Sequence, residues 1–188
     1  MLRRDESPSL YLLEQQFRGP DGVSRTRRGF VGRLRLEEPA SGIVIPHEHT
    51  NPGPRRDRLD LLRATHADLS QIFLLYPDDE HLAWRTVEEA ATSAAVSVRD
   101  ADGTLHSLRP ASGPQAEQAA AMLAERSLII ADGHHRHASA LAYRDERRAA
   151  GDHSADRCMA YFCGMDDPGL TIFAAHRLLR DIDLPTTR

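Results

Sequence analysis

Cysteine is scarce in this chain: the two present, Cys158 and Cys163, stand five apart in a strand-like stretch where they would face opposite ways. Neither a disulfide nor a paired metal knuckle is expected from them, and both read as reduced and buried. Long apolar runs are missing too. None approaches the roughly 20 residues of a membrane helix, and the charged opening Met1 to Ser9 lacks the apolar centre of a signal peptide. The expectation is a cytoplasmic protein with no membrane partner. There is no excess of positive charge, since 24 basic side chains face 28 acidic ones for a formal charge of −4. Such a surface offers nucleic acid no overall attraction, so direct nucleic-acid binding is not expected and a small polar ligand fits better. Internal repeats and low-complexity segments are also lacking.

What is there suffices for one sizeable core, with 40% of the 188 residues hydrophobic. Ser9 to Phe17 and Thr26 to Glu37 read as strands on either side of the turn Gly19, Pro20, Asp21, Gly22. Ile43 to Ile45 is a short strand stopped by Pro46. Arg55 to Leu69 has helical spacing through Leu59, Leu62 and His66, and Asp78 to Ala91 is a second predicted helix. Between them the apolar run Ile72 to Tyr76 suits a strand buried on both faces. Val96 to Arg99 and Leu105 to Leu108 flank a turn and predict a hairpin. Pro114 opens a helix through Arg126, and Leu128 to Ala131 is a buried strand. His137 to Ala150 is the clearest helix, with an alanine and leucine stripe, Arg144 off that stripe, and Gly151 closing it. Met159 to Cys163 and Leu170 to Ala175 complete the set as strands.

The chemistry concentrates in Asp132, Gly133, His134, His135 and Arg136, where a strand passes into a helix. A helix start presents unpartnered N–H groups and about half a positive charge, which suits phosphate. Gly133 lets a ligand approach the backbone. Arg136 can grip phosphate oxygens in bidentate fashion, and His134 and His135 can donate hydrogen bonds or carry protons near neutral pH. Asp132 can hold a divalent cation shared with phosphate, as Mg²⁺ commonly is; the plain alternative is that it caps the helix. Two histidines and an arginine in a first turn oppose the helix dipole, which favours a functional reason for the run.

A second constellation is His47, Glu48, His49 and Thr50, followed by Arg55, Arg56, Asp57 and Arg58 at a helix start. In an extended segment His47 and His49 would share one face, with Glu48 and Thr50 on the other. The histidines can be metal ligands and Glu48 a general base, while the plain reading is a solvated loop. His176 and Arg177 can line the same cleft or lie on the surface.

These runs together resemble a known family. The stretch GIVIPHEHTNPGPRRDRLDLLRATHADLSQIFLLYPDD from Gly42 to Asp79, with IIADGHHRHASALAYRDE and FAAHRLLRDI, closely resembles the bacterial Domain of Unknown Function 1015 family, DUF1015, over nearly the whole chain. Its DGHHR element is similar to that of the ParB/sulfiredoxin superfamily, whose free-serine kinases look closest in motif. That similarity implies ADP or ATP and Mg as cofactors. It implies Glu48 as the base for a substrate hydroxyl and His135 as a second catalytic group. Asp132 would position Mg²⁺, and Gly133, His134, His135, Arg136, Thr50 and Arg58 would hold the nucleotide. Sulfiredoxin's nucleophilic cysteine has no counterpart, since His134 and His135 fill the variable positions. Members of the family usually extend further at both ends, so the chain reads as the middle of a longer domain.

The expectation is an α+β fold with a mixed, mainly antiparallel sheet and packed helices: a single unit over 1–188, with a β-rich portion over 1–40 and a ParB/sulfiredoxin-like core over 41–180. The leading functional reading is a nucleotide- and Mg-binding kinase of a small hydroxylated metabolite such as serine. One rival is a ParB-like nucleotide switch without small-molecule chemistry, for which a homodimer is the natural form. Another is a metal hydrolase built from His47, His49, Asp132 and His134.

Overall fold

Alternating burial along the strands organises the molecule around one sheet. The computed structural model describes residues 5–93 and 95–172. Eight strands, β1 (Leu10–Arg18), β2 (Ser24–Arg35), β3 (Val44–Ile45), β4 (Ile72–Tyr76), β5 (Val96–Arg99), β6 (Leu105–Ala111), β7 (Leu128–Asp132) and β8 (Arg157–Gly164), form it in the order β3-β7-β4-β8-β2-β1-β6-β5. The pairs β3/β7 and β4/β8 are parallel and the other five antiparallel. The class is the α+β fold expected, with a mixed, mainly antiparallel sheet.

Register aligns the core. Leu12 pairs with Phe30, Phe30 with Phe162, Phe162 with Leu74 and Leu74 with Ile130, so one buried row crosses five strands. Burying each such Leu or Phe contributes about 1.5–3 kcal/mol. Helices α2 (Leu82–Ala90) and α3 (Pro114–Ala124) pack on each other, and Val87 and Ala119 join that core. Helix α1 (Pro52–Thr65) has no fully buried residue and rests on α4 (His134–Ala149).

Several boundaries move from the sequence reading, each for a local reason. Helix α1 stops at Thr65, four residues before the expected Leu69, because His66 turns left-handed (φ 51°) and its N–H bonds Leu62 O at 2.9 Å. The helix expected from Asp78 begins only at Leu82. Glu80 and His81 take positive φ, while the buried Asp78 carboxylate accepts the N–H groups of Ala83 (2.9 Å) and Trp84 (3.3 Å). Helix α4 starts three residues early, at His134, so the histidine pair lies inside its first turn. Strand β4 is interior but uneven: Ile72, Leu74 and Tyr76 are buried, Phe73 and Leu75 only half-buried. Leu170 to Ile172 are irregular, and the rest of the strand expected there lies outside the described residues. Both cysteines are free and buried, and burial pushes their thiols up, Cys163 to about 12. No helix among the described residues is long and apolar enough to cross a membrane.

Candidate functional site

Strand β7 ends at Asp132 and Gly133 turns the chain into α4 with φ 97°, a conformation side chains rarely adopt. A Cβ there would also meet the Arg136 guanidinium at 3.0 Å. Arg136 folds back over this turn, pairing with the Asp132 carboxylate and donating to Gln71 O. Asp132 is otherwise open, its side chain 73% exposed. The first-turn N–H groups of His134, His135 and Arg136 have no acceptor within the helix.

Because β3 is parallel to β7, the loop leaving β3 emerges beside this turn. The two regions, more than eighty residues apart in sequence, are stitched together. The N–H of His47 donates to His134 Nε2 at 3.2 Å, and the N–H of Asn51 donates to His135 Nε2 at 3.0 Å. The His47 and His134 rings meet edge to face, 4.4 Å between centroids. Glu48 reaches the same ring, with Oε2 3.5 Å from His134 Nδ1 and Oε1 3.9 Å from His47 Nε2. The strand-like alternation expected for Pro46 to Thr50 therefore fails: a bend at Glu48 turns His47 and Glu48 to one side, and His49 does not join them.

Helices α1 and α4 lie side by side and run the same way. Ser139 Oγ donates to Arg55 O at 2.8 Å, His66 Nδ1 meets Tyr143 Oη at 2.7 Å, and Arg63 pairs with Glu146 at 2.5 Å. Both helix starts flank the 47–51 loop, and neither first turn carries an acid. All 24 basic residues of the chain are arginines, so forked guanidinium contacts are the only cationic side-chain contacts it can offer a phosphate at neutral pH apart from histidine.

Electrostatics fix the state of His134. It is 3% exposed, and burial, then the neighbouring His47, lower its pKa, against the pull of Glu48. A neutral ring whose Nε2 accepts an N–H carries its proton on Nδ1, facing Glu48. The donors of His47, Glu48 and His134 all lie within 4.8 Å of one another, a spacing that can hold a metal ion. To ligate through Nδ1, His134 would have to move its proton to Nε2 and release the His47 N–H. The metal set expected from sequence is thus revised: Glu48 joins His47 and His134, while His49 and Asp132 fall outside the cluster. For Mg²⁺, which prefers oxygen, the fitting groups are the exposed carboxylates of Asp132 and Glu48.

Thr50 and Arg58 have no hydrogen bond or ion pair from their side chains among the described residues; Thr50 is half-buried beside the loop and Arg58 exposed on α1. His176 and Arg177 lie outside the described residues. Sequence reasoning missed His137 and Arg144. His137 is buried behind His134, its Nε2 without a partner among the described residues, and burial pushes its pKa down to about 4. Arg144, expected off the packed stripe, is buried, donating to Leu36 O at 2.9 Å and pairing with Glu38 and Asp145. The available signal was their i+3 and i+10 spacing from His134, which puts all three near one face of α4.

A family model described as Protein of unknown function (DUF1015) matches residues 1–188. No curated protein and no solved structure matches the chain. The chain belongs to the DUF1015 family.

Proposed function

We propose that this domain binds a nucleotide with Mg²⁺ across the start of α4 and transfers a phosphoryl group to the hydroxyl of a small metabolite. The observation that carries the reading is the convergence of Glu48 on His134 at 3.5 Å, directly beside a glycine turn and two helix starts. Phosphate oxygens would take the first-turn N–H groups of His134, His135 and Arg136. Arg136, now paired with Asp132, would exchange that carboxylate for phosphate, freeing Asp132. Mg²⁺ on Asp132 and the phosphate oxygens would neutralise charge that builds during transfer. Glu48 would accept the acceptor hydroxyl's proton as the new O–P bond forms and the bond to the departing nucleotide phosphate breaks. His135, bonded to the Asn51 N–H, would hold the loop in register with the helix. The similarity of the DGHHR run to the free-serine kinases of the ParB/sulfiredoxin superfamily supports this choice of ligand and reaction.

Calorimetric titration with ADP and ATP, with and without Mg²⁺, tests the binding step. Mg²⁺-dependent binding that weakens at least tenfold in Arg136→Ala is the expected result; no binding by folded protein would overturn the reading.

A second reading has its own observation, the His47, Glu48 and His134 donors within 4.8 Å. It is a divalent metal centre of hydrolytic type, with zinc suited to the two nitrogens. Stoichiometric zinc retained through gentle purification, and lost in His47→Ala, would favour it over the phosphoryl-transfer site.

A further inference from the structure

The arginines of the two clasped helices fall into two groups. Arg63 of α1 and Arg136, Arg144, Arg147 and Arg148 of α4 each pair with a carboxylate. Arg55, Arg56 and Arg58, exposed in the first two turns of α1, have no hydrogen bond or ion pair from their side chains among the described residues. Asp57 stands among them and pairs with none, because residues one or two apart on a helix do not face each other. Left alone, this cluster is unfavourable: Arg55 and Arg58 are neighbours of like charge, and the dipole at a helix start disfavours cations. A bound anion would offset both costs.

The cluster adjoins the candidate site. Asn51, just before α1, donates its N–H to His135 Nε2 at 3.0 Å, and Arg55 O accepts Ser139 Oγ at 2.8 Å, so the start of α1 is fastened to the first two turns of α4. Helix side chains lean toward the N-terminus, which in α1 is the end that meets the 47–51 loop. Glu48 and the three guanidiniums therefore sit at the two ends of one short loop. The nucleotide phosphates have no need of them, since the α4 N–H groups and Arg136 already serve that end.

We infer that Arg55, Arg56 and Arg58 hold an oxyanion group, carboxylate or phosphate, on the acceptor itself, which makes the substrate a small hydroxylated anion and not a neutral alcohol. A guanidinium grips either group through two parallel N–H bonds. The inference rests on the phosphoryl-transfer reading for the acceptor's role, and it gives Arg58 to the acceptor, not to the nucleotide.

Glycerol 3-phosphate, glycerate and glycerol are the probes, titrated calorimetrically into the full chain at fixed ionic strength, with saturating Mg²⁺-ADP and again without nucleotide. At least one of the two anions should bind saturably, and glycerol should not. Arg55→Gln and Arg58→Gln, both surface changes expected to leave circular dichroism unaltered, should each weaken that binding at least fivefold while Mg²⁺-ADP affinity holds. Arg33→Gln removes the same charge from an exposed arginine of β2 and should change anion affinity less than twofold. Failure of ADP and ATP to bind would overturn the phosphoryl-transfer reading, and the titration without nucleotide would still decide the anion site. No saturable binding of either anion by folded protein, glycerol binding as tightly, or unchanged anion affinity in the α1 variants would overturn the inference.

Discussion

Glu48 keeps 62% of its side chain in solvent, yet it is fixed against a buried ring, an arrangement suited to a base that must reach an incoming hydroxyl. Glu48→Gln keeps the shape and removes the proton acceptor. Turnover in a coupled phosphoryl-transfer assay should fall by about 10²–10⁴ while Mg²⁺-nucleotide affinity changes little; unchanged turnover would remove Glu48 from the base role. His137 makes the pH prediction. Its folded pKa, about 4, lies below the ordinary histidine value, so the unfolded chain binds the proton more readily. Its stabilising contribution is therefore complete above about pH 6.5 and is lost as pH falls toward 4, roughly 3 kcal/mol across that window. Urea midpoints at pH 7.5 and pH 5 should diverge in the wild type and converge in His137→Phe, provided the ring substitution packs.

At the scale of elements, the glycine turn and the α1/α4 clasp hold the site. Gly133→Ala places a Cβ 3.0 Å from the Arg136 guanidinium at φ 97°. It should cost about 1–3 kcal/mol and displace Arg136, visible as a lower melting temperature and weaker phosphate binding together. Ser139→Ala removes the bond to Arg55 O and should cost about 1 kcal/mol, with amide exchange quickening in α1 before the sheet. The strands and helices were legible because periodicity is local. The Ala and Leu stripe announced α4, and turn residues framed β5 and β6. The start of α4 was legible only in part: the apolar stripe begins at His137, the phosphate argument already put His134 to Arg136 in a first turn, and what no local pattern showed is that both rings accept loop N–H groups there. The bend at Glu48 was not legible, for it depends on His134 eighty-six residues later. Candidate residues could be named from sequence, but the meeting of the 47–51 loop with the α4 start depends on the parallel β3/β7 pairing, which no local pattern encodes.

For the whole molecule, the buried row from Leu12 to Ile130 ties the first strands to the last described one. Phe30→Ala, within that row and fully buried, should cost about 3–5 kcal/mol. Trp84 fluorescence and far-ultraviolet circular dichroism should lose structure at the same denaturant concentration; separate transitions would mean that the two ends of the sheet fold as independent units. The place of β2 has a temporal meaning as well. Its other neighbour is β8, paired at Phe30 and Phe162, so the β1/β2 hairpin waits for residues 157–164, far later in the chain, before the free edge of β2 is covered. During that interval Phe30 and Leu34 sit on an open strand edge, and closure needs contacts of very long sequence separation. On the ribosome, then, this protein is exposed to misassembly until nearly all of its described strands have emerged, and a chaperone that shields the first hairpin would act at its most vulnerable stage.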